Sequence, residues 1–356
     1  MKNFTIILAF MLFATLTTKA TIWTVNNNTA NNSAAHFTSL QTAIDSASIG
    51  DTLYVSGSPL SYGSVNVNKQ LVFIGEGYHF IGAGRYKTDV SVFHLTEKNN
   101  ALDQLISSAS GSVFTGIYCQ ITTDMVVNMN NITITRCNTE IYTRGFTDEP
   151  TSNWIIINNI IRTISYSSWS NQVNNSNFHV LNNFILGSTL LNNSNIKNNI
   201  YISDGHSSGN SNTLINNIYH GMSTLGLTNS ILKNNLSYAS GGNNATNFDY
   251  NTTNYDTNNV VNQDPKFVSA TVSTSPTFDY ADDYHLQSSS PAIGAGTNGT
   301  DIGIYGGNYP FPSGGDIPLQ TSALPAIPQI TDLEITNMII PIDSALHINL
   351  KARIRN

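Results

Sequence analysis

The sequence predicts an all-β solenoid, in which short strands stack coil upon coil. Three observations predict this fold: a repeated phrase, apolar columns in register with it, and a scarcity of charged residues. The phrase is an Asn pair followed by an apolar residue, and it occurs five times between residues 154 and 239. The copies are Asn158-Asn159-Ile160, Asn182-Asn183-Phe184, Asn198-Asn199-Ile200, Asn216-Asn217-Ile218 and Asn234-Asn235-Leu236.

The residues around each pair alternate as a strand does. The steps between copies are 24, 16, 18 and 18 residues, which suits one coil of a solenoid. The residue directly after each pair is always apolar, and so is the residue two places before the pair. The residue directly before the pair is apolar in some copies and polar in others. The two-before column comprises Ile156, Val180, Ile196, Leu214 and Leu232. We therefore expect both apolar columns to face inward.

The Asn pair itself is predicted to form a corner between two strands. Asn tolerates the left-handed backbone that a tight corner needs, and stacked Asn side chains can bond each other along the axis. The alternative is that the Asn-rich sequence is disordered, but disordered chains do not keep two apolar columns in register.

Composition limits the function. Charged residues make up 10% of the 356 residues and the formal net charge is -7, whereas ordinary globular domains are roughly 25% charged. This mildly acidic, weakly ionic surface argues against nucleic acid as a partner, because nucleic-acid binding needs a basic face.

Residues 1–20 have the pattern of a secretory signal peptide. Lys2 is the charged start, residues 4–16 are the apolar core, and Thr18-Lys19-Ala20 is a small-residue cleavage site. An uncleaved anchor is the alternative. We expect the mature chain to be secreted or held at the outer cell surface, with no transmembrane segment, because no other apolar run is long enough.

The next residues predict a helix and then strands. Leu40, Ala43, Ile44 and Ala47 have helical spacing, and Thr38 or Ser39 can cap the helix start. A strand follows at residues 52–55. A helix that precedes a strand array suits a cap over the open end of a solenoid.

These segments resemble a known group of proteins. "SLQTAIDSASIGDTLYVSG", then Tyr62 and "NKQLVFIGEGY", look like the amino-terminal cap and first coils of secreted bacterial right-handed parallel β-helix proteins of the pectin-lyase-like superfold. "DYHLQSSSPAIGAG" and "DIGIYGG" are similar to the way that many such chains close, particularly those of Bacteroidetes. The resemblance covers residues 21–307 and implies a β-helix over 21–309. It implies no particular activity, since this fold hosts lyases, hydrolases, epimerases and adhesins.

The rest of the chain departs from the repeat. Residues 143–153 and 240–259 are predicted loops, and residues 264–268 are expected to resume the coil. Residues 310–328 are rich in Pro, Ser and Gly and predict a linker, and residues 329–356 alternate again and predict a short β tail.

Two features bear on cofactors. Cys119 and Cys137 are the two cysteines, and their spacing matches one coil, so a disulfide and a pair of buried thiols are both possible. Two cysteines alone do not make a zinc site. We expect no metal and no cofactor.

Acidic residues are scarce where catalysis would need them. Hydrolysis of glycosides uses two carboxylates, and residues 154–242 contain one acid, Asp204. A metal-free lyase could instead use Lys or Arg with Tyr or His, and Arg136, Arg144 and Tyr142 belong to that possibility. We therefore assign no catalytic residue, and any chemistry would come from the irregular flanks.

A binding face has more support. Tyr201 and Tyr219 stand two places after their Asn pairs and are expected to stack on the outer surface, near Lys197 and His220. Aromatic faces beside amides and cations suit sugar rings. The competing interpretation is ordinary cross-strand stacking of the tyrosines, with Lys197 solvated and His220 at the rim.

These observations predict a secreted, monomeric structural or interaction protein that binds polysaccharide or a cell-surface glycan. The alternative is a polysaccharide lyase, or a related carbohydrate-active enzyme, acting on uronate-containing glycans. A cluster of Lys, Arg, His and Tyr on the outer surface would favour the enzyme.

Overall fold

The computed structural model shows a right-handed parallel β-helix built from stacked coils. It describes residues 20–30, 34–78, 86–99, 105–123, 129–144, 151–167, 175–202, 207–221, 225–239, 248, 253–270, 278–311, 328–335 and 348–354.

Sheet A is one face of the stack, and its described strands pair in parallel, each with the equivalent strand of the next coil. It has eleven described strands. They are Ile22–Val25, Thr52–Val55, Val72–Gly75, Val113–Thr115, Thr133–Thr135, Ile155–Ile157, His179–Leu181, Asn195–Lys197, Thr213–Ile215, Ile231–Lys233 and Tyr255–Thr257. From Thr133 to Lys233 each strand has three residues and its central side chain is buried. The predicted inner column that starts at Ile156 is confirmed, because all five members are buried in the main core.

Sheet B is the second face, and it also pairs in parallel. Its main path comprises Ser64–Val67, Asp89–Leu95, Tyr118–Thr123, Asn138–Arg144, Ile160–Ser167, Phe184–Ile185, Ile200–Ile202, Ile218–His220 and Leu236–Tyr238. A branch leaves the strand Ile160–Ser167. The branch comprises Thr189–Leu190, Ser207–Asn210 and Leu225–Thr228.

Left-handed corners flank the short strands of sheet A. The first residue of each Asn pair has φ between 52° and 58°, so the pair is a corner as predicted. A second series of left-handed residues lies five positions earlier. Its members include Asn153, Asn177, Asn193, Ser211 and Asn229. Asn has the lowest cost for this conformation among residues with a side chain, which explains its abundance here.

The second Asn of each pair forms an internal ladder. Asn159, Asn183, Asn199, Asn217, Asn235 and Asn259 are its members. From Asn159 to Asn235, each Nδ2 donates to the Oδ1 of the next Asn at 2.9–3.0 Å, and Asn259 is the last described acceptor. The other Nδ2 proton goes to a carbonyl of the preceding coil, such as the Ile156 oxygen for Asn183, at 2.9 Å. The stacked amides predicted from the sequence are therefore present, and their bonding capacity is filled.

The predicted position of the second apolar column is wrong. Because the first Asn of each pair is left-handed, the second Asn points inward and the next residue points outward. Ile160, Phe184, Ile200, Ile218 and Leu236 consequently lie outside the main core. They are still buried, because residues from 267 onward cover them.

The covering segment is residues 278–311, which we call the strap. It leaves the coil and packs Tyr284, Ile302, Ile304 and Phe311 on the outer apolar column of sheet B. Phe267 pairs antiparallel with Leu286, so residues 264–268 do not resume the coil as expected. The strap contains a short 3-10 helix, Thr297–Gly299.

The amino-terminal helix is Leu40–Ser46, and the Oγ of Ser39 accepts from the Thr42 amide at 3.3 Å. Leu40, Ala43 and Ile44 join the main core, as their spacing predicts. Glu97–Asn99 pairs antiparallel with Leu105–Ser108. Thr151–Ser152 pairs in parallel with Asn175–Ser176, and Ser176 bridges in parallel to Asn192 of the next coil. Pro328–Ile335 and Ile348–Ile354 form an antiparallel pair within the predicted tail.

Candidate functional site

Tyr201 and Tyr219 stack, but they do so inside the molecule. Their ring centroids are 4.6 Å apart, and both side chains are fully buried in the main core. Burial raises the pKa of Tyr201 to about 12, although contacts with Ser207 and Thr189 oppose the shift. The expected exposed pair is therefore wrong, because the left-handed Asn turns the position two after each pair inward.

His220 is also buried rather than exposed. Its ring lies parallel to Tyr238 at 5.8 Å and meets Phe267 edge-on at 5.7 Å. Neither ring nitrogen has a hydrogen-bond partner among the described residues. Burial lowers the pKa of His220, and Asp264 partly opposes this. His220 is therefore neither a binding residue on the outer surface, as expected, nor at the rim, as in the alternative, because the outer face of sheet B is covered.

Lys197 is the one predicted binding residue that lines an open groove. It is half-buried on the outer face of sheet A, at the end of the strand Asn195–Lys197. The groove runs between this face and the strap, and its volume is about 450 Å³.

The sheet side of the groove is lined by outward residues of three neighbouring strands. They are His179, Leu181, Asn195, Lys197 and Ile215. The strap side is Thr297, Asn298, Thr300, Gly307, Asn308 and Tyr309. The corner residues Asn182, Asn198 and Asn216 lie between the two sides.

The first Asn of each pair fixes the strap beside sheet A. Asn234 Nδ2 donates to the Ala295 carbonyl at 2.8 Å, and the Thr297 amide donates to Asn216 Oδ1 at 3.0 Å. Asn182 Nδ2 donates to the Ile304 and Gly306 carbonyls, both at 2.8 Å. The groove is thus walled by a rigid sheet and by a segment anchored at intervals along it.

The groove lining is polar and carries no acid. Its members include several amides and three hydroxyl groups, and Lys197 is the only Lys or Arg among them. Tyr309 is 53% exposed and supplies an aromatic ring at one end. Tyr309 and the strap side could not be predicted from the repeat, because it does not extend to residues 297–309.

A second cluster lies on the outer face of sheet B, and the five residues that form its ion pairs and ring contacts were not predicted. Lys87 Nζ is 2.7 Å from Asp89 Oδ2 and 3.5 Å from the centre of the Tyr118 ring. Arg162 Nε donates to Glu140 Oε1 at 2.5 Å, and its Cζ is 4.8 Å from the same ring centre. The register that stacks Asp89, Tyr118 and Asn138 could have revealed this cluster, but irregular loops hide it in the sequence.

Of the three residues named for a metal-free lyase, Tyr142 lies beside this cluster. Tyr142 follows Glu140 on the same outward face, and its pKa is raised by burial and by Glu140. Arg136 lies at a left-handed corner with φ 52°, and burial lowers its pKa. The Arg144 side chain and all of Asp204 lie outside the described residues.

Cys119 and Cys137 are buried free thiols, so the structure has a pair of buried thiols and not the alternative disulfide. Cys119 Sγ donates to Thr139 Oγ1 at 3.7 Å. Burial and the neighbouring Cys137 hold the pKa of the Cys119 thiol well above its ordinary value. In the described ranges, no three His, Cys, Asp or Glu side chains are grouped as a metal ion would need. Nor does any described helix have the length and apolarity to cross a bilayer.

No protein-family model matches the chain, and no curated protein matches it significantly. The structure therefore defines a class by architecture alone: a right-handed parallel β-helix whose outer apolar column is covered by a strap of its own chain.

Proposed function

We propose that this chain is a secreted or cell-surface interaction protein that binds polysaccharide in the groove between sheet A and the strap. One observation supports this proposal most: an open groove of about 450 Å³ combines amides, hydroxyls, Lys197 and the exposed Tyr309 on a rigid wall. Sugar rings pack their apolar faces on aromatic rings, while amides and hydroxyls bond their hydroxyl groups. The location rests on the signal-like residues 1–20.

A matched pair of tyrosines tests the groove. Tyr309 lines it and is 53% exposed, whereas Tyr255 lies on sheet A away from the lining and is 65% exposed. We expect Tyr309→Ala to weaken retention on an immobilised glycan panel by about tenfold, and Tyr255→Ala to leave it unchanged. Equal retention of the two variants, or no retention of the wild type on any glycan, would reject the proposal.

The second candidate is a lyase for uronate-containing glycans, and the cluster around Tyr118 favours it. Elimination needs a base that removes the proton beside the uronate carboxyl, and cations that neutralise that carboxyl. In this scheme Tyr118 is the base, and Lys87 and Arg162, which both lie against its ring, are the cations that neutralise the carboxyl. Both cations are already paired with Asp89 and Glu140, so binding in the groove stays the first proposal.

The absorbance of newly formed unsaturated ends tests the lyase directly. If the cluster is catalytic, we expect this absorbance to rise when the wild type is incubated with a uronate glycan. The Arg162→Gln variant should show no such rise. The control is Lys98→Gln, which removes a charge elsewhere. A flat trace on every uronate glycan excludes this second candidate and leaves the groove proposal intact.

A further inference from the structure

We infer that the groove selects an anionic glycan, which lies along the stack with acidic groups against Lys197 in the lining and against Lys233 one strand beyond it. This inference rests on the proposed function, and it adds the class of ligand and its direction.

The register of sheet A aligns the two lysines. Lys197 pairs with Ile215, and Ile215 pairs with Lys233, so all three stand in one outward column. Two strand spacings separate the lysines, which is about 10 Å. An extended glycan that follows the stack axis can therefore meet both cations with acidic groups on separate sugar residues.

Unlike four other described cations, the two lysines have no acceptor of their own. Lys87 and Arg162 are paired with carboxylates, and Lys69 and Lys266 donate to backbone carbonyls at 2.9 and 3.1 Å. Within the described ranges, Lys197 and Lys233 have no ion pair and no side-chain hydrogen bond. Their charges are thus available to a ligand.

The carboxylates near the groove are already engaged. Asp301 follows the lining residue Thr300, and its Oδ1 accepts from the Gly294 amide at 2.8 Å. Asp256 stands on the strand next to Lys233 and accepts from Asn259. Neither carboxylate is among the lining residues, whose one Lys or Arg is Lys197, although the chain carries a net charge of -7.

A parallel column supplies neutral contacts. His179 and Asn195 are neighbours in register on the other outward column of sheet A, and both line the groove. Such side chains can bond sugar hydroxyls while the lysines hold the acidic groups.

The test compares soluble neutral, carboxylated and sulfated glycans of similar length, by calorimetry. We expect the wild type to prefer the charged glycans, and Lys197→Gln and Lys233→Gln each to lose about fivefold in affinity at low salt. Salt at about 0.5 M should shrink these differences, since it screens exposed charges. Lys98→Gln is the control, because Lys98 is exposed and lies in a hairpin away from sheet A.

The outcomes separate the two proposals. A preference for carboxylated over sulfated glycans, or the reverse, identifies the acidic group and supports the inference. Equal affinity for the neutral glycan, or an equal loss in Lys98→Gln, overturns the inference while binding through Tyr309 still stands. If no glycan binds, the proposed function itself fails.

Discussion

The two asparagines of each Asn pair have different structural roles. In each pair the first side chain points out from a left-handed corner, and four of the five hold the strap. The second points inward and joins the ladder. The same residue type serves both positions because an amide offers two donors and an acceptor, and because Asn tolerates the left-handed corner.

Loss of one ladder amide is expected to destabilise the fold strongly. Asn199 donates to the Val180 carbonyl and to Asn217, and it accepts from the amide and side chain of Asn183. Asn199→Ala leaves these buried groups without partners, at about 1–3 kcal/mol each. We expect the free energy of unfolding in urea to fall by at least about 3 kcal/mol.

The control for this experiment is Asn195→Ala on the groove wall. Its side chain makes no hydrogen bond with the described residues, so we expect a change within about 0.5 kcal/mol. Similar losses in the two variants would contradict the role given to the ladder.

The buried His220 is expected to make the folded protein less stable in acid. Burial holds its pKa below the ordinary 6.5, so the unfolded chain binds a proton more readily than the folded chain does. The contribution is fully present above about pH 6.5 and is lost as the pH falls through the lower folded pKa. His220→Phe should flatten this part of the curve of stability against pH.

The matched control is His94→Gln, which removes a half-exposed histidine from the outer face of sheet B. Stability would be measured by urea unfolding at intervals between about pH 7.5 and 4.5. An unchanged slope in His220→Phe would show that another group causes the acid sensitivity.

The sequence revealed the corners but misplaced one column, and the reason is physical. Ile160 and Ile156 are both buried, so both columns needed apolar residues, and composition could not distinguish a core from a covered outer face. The covering residues are far away in the chain: Asn158 meets the Tyr309 carbonyl across 151 positions. No repeat signals such a contact, so the outward position of Lys197 was predicted from the sequence while Tyr309 was missed.

Asn anchors hold the strap beside sheet A, in addition to its apolar packing and the antiparallel pairing of Phe267 with Leu286. Asn182 is the strongest described anchor, with two bonds to strap carbonyls. Asn182→Gly removes these bonds while keeping a residue that accepts φ 52°. We expect faster hydrogen exchange in strap peptides around residues 300–311, and unchanged exchange in the strands of sheet A.

The contrast with Asn183→Gly makes this experiment specific. Asn183 belongs to the ladder, so its loss should speed exchange in the neighbouring coils as well. If Asn182→Gly alters the coils as much as Asn183→Gly does, the strap and the stack are not separable elements.

The whole solenoid has two apolar surfaces to bury, and the coils bury only one. The outer surface includes Ile160, Phe184, Ile200, Ile218 and Leu236, and exposing a side chain of this kind costs roughly 1.5–3 kcal/mol. A chain that ends at residue 277 should therefore bind an apolar dye and aggregate.

A chain that ends at residue 327 keeps the strap and is the control. We expect it to stay soluble and to show little dye binding, with light scattering as the second measurement. Equal aggregation of the two truncated chains would indicate that residues beyond 327, rather than the strap, protect the outer column.

The direction of the strap has a mechanical consequence. The strap meets the corner of Asn234 first and the corner of Asn158 last, so it runs back towards earlier coils. Tension on the carboxyl end, directed away from the stack, would load the Asn158 contact before the others. The hydrogen bonds of the anchors would then break one after another, from Asn158 towards Asn234. The Asn ladder inside the coils would bear little of the force.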